Sequence, residues 1–243
     1  MKIKILSDLH LEFHADCGIK FLQDLPTDDA EVLVIAGDLA TKNILDSAFK
    51  ILTEKFKHII YIIGNHELYH YSYNIISNEI NSLIKKYNNI YWLDNECKEI
   101  NNVIFAGTTL WFKESQELHW YKREINDFLL IKNFEPWVYE QNKKSIEFLN
   151  NIGDSNKHID CVITHHMPLK ESIHSTYKGS PINGFFCCDI PEIMYKINPK
   201  YIIHGHTHKK FDYMFKNSRV LANPLEYPQE NHYAFNQNLV IEI

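Results

Sequence analysis

Five short apolar runs in this chain each end on residues with oxygen or imidazole donors, and that recurrence limits the possible folds more than any other feature. Ile3-Lys4-Ile5-Leu6-Ser7 ends in Asp8-Leu9-His10, and the run from Val32 to Ala36 ends in Gly37-Asp38. Ile59 to Ile63 ends in Gly64-Asn65-His66-Glu67, Cys161-Val162-Ile163 leads through Thr164 to His165-His166, and Tyr201-Ile202-Ile203 to His204-Gly205-His206-Thr207-His208. Such runs are strand-sized. Side chains two apart on a strand point the same way, so Asp8 and His10 can grip one ion together.

Between the first runs the pattern switches to helices, near Cys17 to Leu25, Ile44 to Phe56 and Tyr73 to Tyr87. Alternation of this kind predicts right-handed strand-helix-strand units and a largely parallel sheet, whose ligands sit beyond the carboxyl ends of the strands. Asp8, Asp38 and Asn65 all occupy that place. Further on, Val103 to Trp111 reads as a strand pair, Lys113 to Asn151 as helix interrupted at Pro136, and Met167 to Phe186 as a long loop that shapes specificity. A helix from Pro191 to Ile197 and strands at Arg219 to Ala222 and Leu239 to Ile243 complete the reading. With 243 residues and no linker-like stretch, a single domain over 1–243 is expected.

Composition narrows the function. The five cysteines lack any C-x-x-C pair, which suits reduced thiols in a cytoplasm better than a disulfide framework or a zinc ribbon. No apolar run approaches the roughly 20 residues of a membrane helix, and no signal peptide precedes the first strand. A net charge of -6 and only two arginines, Arg123 and Arg219, oppose nucleic-acid binding. If the protein handles phosphate, metals must do most of the holding. Trp92, Trp111, Trp120 and Trp137 are read as core or cleft packing rather than base-stacking surfaces.

Asp8, His10, Asp38, Asn65, His165, His206 and His208 form a thiolate-free set that suits manganese, iron, zinc or nickel, with manganese the expected ion. Seven donors exceed what one tetrahedral ion takes, so two ions are expected. With only two carboxylates, a divalent pair keeps about two positive charges in excess. That excess calls for an anionic substrate.

In order and in spacing class, Asp8-Leu9-His10, Gly37-Asp38, Gly64-Asn65-His66-Glu67, His165 and Gly205-His206-Thr207-His208 resemble the five motifs of calcineurin-like metallophosphoesterases. The segment from His165 through Pro224 is similar to small bacterial phosphoesterases of unassigned substrate. The resemblance implies a four-layer α/β/β/α sandwich of two mixed sheets with metals at the strand ends. It implies that Asp8, His10 and His208 hold one ion, that Asn65, His165 and His206 hold the other, and that Asp38 bridges them. His66 would be the catalytic residue that faces the leaving group, and a hydroxide shared by the ions would attack phosphorus. The expected activity is hydrolysis of a small-molecule phosphomonoester or phosphodiester. The alternatives are a nuclease, a cyclic-nucleotide phosphodiesterase and a catalytically silent binding module.

Two departures from the family pattern carry expectations. Many relatives read GDxxD in the second motif, where the later aspartate orients the GNH histidine, but here Thr41 stands in that place. His66 is therefore expected to lack a charged partner, and the neighbouring Lys42 to offer a cation to the phosphate. Asn223-Pro224-Leu225-Glu226-Tyr227 replaces an NPRGY-like stretch, so a substrate contact there is expected to be lost or replaced. Among the other histidines, His14, His58, His119, His158 and His232 are read as surface or turn residues. His166 and His204 are placed behind the metals, and His70 and His174 near motif loops, read as background rather than as substrate contacts.

Overall fold

The computed structural model describes residues 1–155, 157–230 and 234–243. Four parallel strands, β1 (Lys2–Leu6), β2 (Val32–Ala36), β3 (His58–Ile62) and β4 (Ile90–Trp92), form the first sheet in that order. Helices α1 (Ile19–Asp24), α2 (Lys42–Lys55) and α3 (Tyr73–Lys86) make the crossovers. In α2, Leu45, Ala48, Phe49 and Leu52 recur at three- and four-residue steps and are the buried face, which is why this stretch lies down on a sheet as a helix.

The second sheet contains β5 (Glu96–Ile100), β6 (Val103–Thr108), β7 (Cys161–Thr164), β8 (Tyr201–Ile203), β9 (Phe211–Phe215) and β10 (Ser218–Ala222), in the order β5-β6-β7-β8-β10-β9. Its inner four strands are parallel and both outer strands antiparallel. Strand β11 (Val240–Glu242) returns to pair antiparallel with β1 in the first sheet. Helices α4 (Asn126–Leu130), α5 (Phe134–Asp154) and α6 (Pro191–Ile197) complete the chain.

The two-residue strand period sorts the apolar side chains into three layers. Ile3, Ile5, Val32, Val34 and Ile60 of the first sheet pack with Phe105, Cys161, Ile163, Ile203 and Leu221 of the second. On the far face of the first sheet, Leu33, Ile35 and Ile59 meet Leu22, Phe49 and Ile80 of the helices. On the far face of the second, Val162, Ile202 and Val220 meet Leu149, Met194 and Ile197. The result is the expected α/β/β/α stack. Asn223 stitches the sheets: its amide donates to Ile5 O at 2.9 Å and to Asn236 O at 3.0 Å.

Several elements differ from the sequence reading. Val103 to Trp111 is not a strand pair; β6 ends at Thr108, and Leu110 at φ 54° turns the chain away. Its partner is β5, which, like β9, carries partly exposed or charged residues and so lacks an apolar signal. Such composition is ordinary for edge strands, which use charge to resist further pairing. The expected interruption at Pro136 is present as a kink within α5. Glu135 is non-helical at φ -105° and ψ 132°, so the regular part of α5 starts at Pro136, where a missing N–H costs nothing. Trp120 is 78% exposed and packs into neither core nor cleft. Among the described residues no helix is long and apolar enough to cross a membrane.

Candidate metal centre and substrate cleft

Parallel strands deliver their carboxyl ends to one edge, and the turns that follow them crowd there. Asp8, His10, Asp38, His206 and His208 all take left-handed backbone, with φ of 49°, 45°, 54°, 66° and 46°. Non-glycine residues in this region are uncommon, and runs of them cluster where surrounding contacts hold the chain in place. The first two loops hold each other, with Asp8 N donating to Gly37 O and His10 N to Asp38 O, each at 3.0 Å. Glu67 ties the next: its carboxylate accepts from Gly64 N at 2.7 Å, Leu39 N at 2.8 Å and Tyr61 Oη at 2.8 Å. Glycine is required at 64, since a Cβ there would lie 2.1 Å from Asp38 Oδ1.

The structure brings all seven expected donors together. Donor atoms of Asp8, His10 and His208 lie within 4.8 Å of one another, as do those of Asp38, His165 and His206. Asn65 Oδ1 joins the second group, 3.0 Å from His165 Nε2. Asp38 Oδ2 stands between the groups, 3.8 Å from His10 Nε2 and 3.5 Å from His165 Nε2. His10 Nε2 and His208 Nε2 face each other at 2.8 Å.

This donor set fits divalent cations. Asp8 Oδ1 accepts from His206 N at 2.7 Å, while its Oδ2 is buried without a hydrogen-bond partner among the described residues. Burial, followed by the nearby Glu67 and Asp8 carboxylates, pushes the Asp38 carboxyl well above its ordinary range. Burial lowers His165 to about 4, and burial together with neighbouring imidazoles holds His10 and His206 well below the usual value. A carboxylate that resists ionisation beside neutral rings is what bound cations relieve, because metal ligation needs the carboxylate and the ring nitrogens deprotonated. Two rings are also braced for ligation. His165 Nδ1 donates to Ala36 O at 3.0 Å, and His208 Nδ1 to Glu230 Oε2 at 2.9 Å, which leaves each Nε2 for the centre. Burial opposes it, yet Glu230 and Asp8 raise His208, and the same hydrogen bond lowers Glu230 to about 2.

His66 lies beside this centre, and it does not lack a charged partner. Glu12, at the turn after the first motif, places Oε1 2.7 Å from His66 Nδ1. Its Oε2 accepts from Thr41 N at 3.3 Å, so the carboxylate covers the position where the second-motif aspartate was missed. Its place two residues beyond His10 was the available signal. Tyr227 Oη meets His66 Nε2 at 3.0 Å, so the tyrosine that this stretch keeps from the NPRGY-like pattern puts a phenol at the site. Lys42 offers no cation here; it pairs with Glu79 at 2.9 Å outside the cleft.

A cleft of about 300 Å³ opens over Asp38, Asn65, His66, His206 and His208. Its walls combine Tyr69, Ile125, Met167, Ile173, Ile182, Phe185 and Phe186 with the polar Glu124, Asn126, Asp127, Ser180 and Asn183. The Met167 to Phe186 segment therefore lines it, as its length suggested. His174 is on the wall and His70 is not. His204 is buried and meets Ser172 Oγ at 2.7 Å, and His166 lies behind His206 with ring centroids 4.2 Å apart. His232 lies outside the described residues. Sequence reasoning also missed Asp127, whose Oδ1 accepts from Asn65 Nδ2 at 2.9 Å and Tyr69 Oη at 3.0 Å.

Comparisons with known proteins bear on the fold and the family. The family model described as calcineurin-like phosphoesterase matches residues 1–210. An uncharacterized protein of Acanthamoeba polyphaga mimivirus is 28% identical over 278 residues, covering 99% of this chain and 96% of that protein. Among solved structures, the phosphopantetheinyl hydrolase PptH of Mycobacterium tuberculosis is similar with a TM-score of 0.77 at 14% identity, over 94% of this chain and 90% of its own. A Thermus thermophilus protein is similar with a TM-score of 0.60 at 16% identity, over 92% and 88%. These structures share the fold, and the family match spans all five motifs. By that match and by the stacked sheets that carry the motifs, the chain belongs to the calcineurin-like phosphoesterase family.

Proposed function

We propose that this protein hydrolyses a small-molecule phosphoester at a centre that takes two divalent metal ions. The observation that carries the reading is Asp38 Oδ2, one carboxylate oxygen within 3.8 Å of His10 Nε2 and 3.5 Å of His165 Nε2. A carboxylate so placed belongs to both donor groups. In this reading Asp8, His10 and His208 hold one ion, Asn65, His165 and His206 the other, and Asp38 both, with manganese as the expected metal. When bound, the ions would supply Lewis-acid activation of water and neutralise the phosphoryl oxygens.

The chain's own residues do the rest. His66 presents Nε2 to the cleft beside Tyr227 Oη, where it can give a proton to the departing alkoxide. The aromatic and aliphatic walls exclude water from the organic part of the substrate. Among the described residues neither lysine nor arginine lines the cleft, while Glu124, Asp127 and Glu230 do. That lining supports a substrate whose only strong anionic group is the phosphoryl at the metals, and it weighs against a nucleic-acid backbone. We read residues 1–243 as one domain, because a continuous apolar layer joins the two sheets.

The test is the hydrolysis rate of p-nitrophenyl phosphate and of bis-p-nitrophenyl phosphate by metal-stripped protein reloaded with manganese, with Asp38→Asn as control. Turnover by the wild type and its loss in the control support the reading. Absence of bound metal at millimolar manganese overturns it.

A further inference from the structure

We infer that Glu12 is the positioning residue of His66, taking the place of the aspartate that the second motif lacks. The inference rests on the phosphoester hydrolysis proposed above.

Glu12 Oε1 lies 2.7 Å from His66 Nδ1, and its Oε2 is anchored by Thr41 N at 3.3 Å. An ionised carboxylate only accepts, so Nδ1 carries the hydrogen in this pair. The remaining nitrogen, Nε2, is then the one that faces the cleft, where Tyr227 Oη meets it at 3.0 Å. The acid form of the ring carries a second hydrogen, on Nε2, and without the carboxylate the ring can rotate so that this hydrogen no longer points at the leaving oxygen. The ring also meets Tyr69 and His10 at 4.3 Å and Phe13 at 6.0 Å between centroids, contacts that do not set the tautomer, and the Tyr227 hydroxyl at Nε2 can act as donor or acceptor.

The position of Glu12 has a second consequence. It sits on the single-turn helix Leu11–Phe13 that directly follows His10. The first-motif loop thus supplies donors to the metal centre and orients the residue that meets the leaving group. When His66 gives its Nε2 proton to the departing alkoxide, the imidazole becomes neutral, Nδ1 keeps its hydrogen on Glu12, and the alcohol leaves protonated. No other group changes charge.

The experiment compares wild type, Glu12→Gln and Glu12→Ala, each loaded with manganese, on p-nitrophenyl phosphate and on phenyl phosphate. The second ester has the poorer leaving group and needs the proton more. Glu12→Ala is expected to lose about 10- to 100-fold in kcat on phenyl phosphate, in line with a general-acid contribution, and only a few-fold on the nitrophenyl ester, with KM little changed. Glu12→Gln, which keeps an acceptor oxygen, is expected to stay within a few-fold of wild type on both. Nitrogen NMR of the histidine rings gives a readout without turnover: the Nδ1–H form of His66 is expected in wild type and lost in Glu12→Ala. Equal kcat losses on both esters, or an unchanged tautomer in Glu12→Ala, would overturn the inference. Failure of the wild type to cleave either ester would instead remove the proposed function, whatever the tautomer shows.

Discussion

Asp127 Oδ1 accepts a hydrogen bond from Asn65 Nδ2 at 2.9 Å, and this contact decides which way the Asn65 amide points. With its nitrogen held, the amide turns its oxygen toward His165 Nε2 at 3.0 Å, the direction a metal ligand needs. Asp127 is buried on α4, and burial raises its carboxyl while the Asn65 and Tyr69 hydrogen bonds pull it back. In Asp127→Ala the amide nitrogen keeps Tyr69 Oη at 3.0 Å but loses its carboxylate acceptor, so the amide is held less firmly. Partners of this kind are worth about 10- to 100-fold in metal affinity. Calorimetric titration with manganese is expected to show one ion weakened by that factor and the other nearly unchanged.

Asp38 carries an opposite pair of effects. Its carboxyl is pushed up by burial and by neighbouring carboxylates, so its charged form burdens the metal-free fold. Asp38→Asn removes that charge at similar volume. The metal-stripped variant is expected to be more stable than stripped wild type by roughly 1 to 3 kcal/mol, and the manganese-loaded variant less stable than loaded wild type. Denaturant melts of all four samples check both signs.

Gly64 leaves no room for a side chain. A methyl group there would lie 2.1 Å from Asp38 Oδ1 and 2.6 Å from His165 Cε1. Gly64→Ala must therefore move one of the two donor groups. The expected result is a folded protein that binds manganese at least about 10-fold more weakly, since misplaced ligands cost affinity before they cost fold. Circular dichroism and metal titration on the same sample separate the two.

His204 supplies a pH signature that does not depend on the metals. Burial lowers its ring to about 4 from an ordinary 6.5, and it meets Ser172 Oγ at 2.7 Å. Between those values the unfolded ring binds a proton that the folded ring refuses. Stability is then full above about 6.5 and is lost as pH falls toward 4. His204→Gln removes this proton linkage. Between pH 7 and pH 4.5, metal-stripped wild type is expected to lose about 2 to 3 kcal/mol more than the variant, as measured by urea unfolding.

Much of this protein could be read from its chain, because two local periodicities were strong. Alternating and continuous apolar runs marked β1, β2, β3, β7 and β8, and the 3.6-residue pattern marked α2 and α3. Donor residues just past those runs had to reach one edge, since parallel strands end together. The strands that were missed, β5 and β9, are edge strands that expose charged or polar side chains, so no local signal separated them from loops.

The sequence by itself determined the alternation of strands and helices in the first sheet and put seven candidate donors at strand ends, because both follow from residue type and spacing along the chain. Only the tertiary structure decided which side chains support those donors. Glu12 reaches His66 across 54 residues, Asp127 reaches Asn65 across 62, and Tyr227 reaches His66 across 161. Hydrogen bonds of that reach depend on how loops cross after the sheets have stacked, and strand and helix periods carry no information about it. For the same reason Lys42, which was expected to offer a cation to the phosphate, turned outward to Glu79 and left the cleft without lysine or arginine among the described residues.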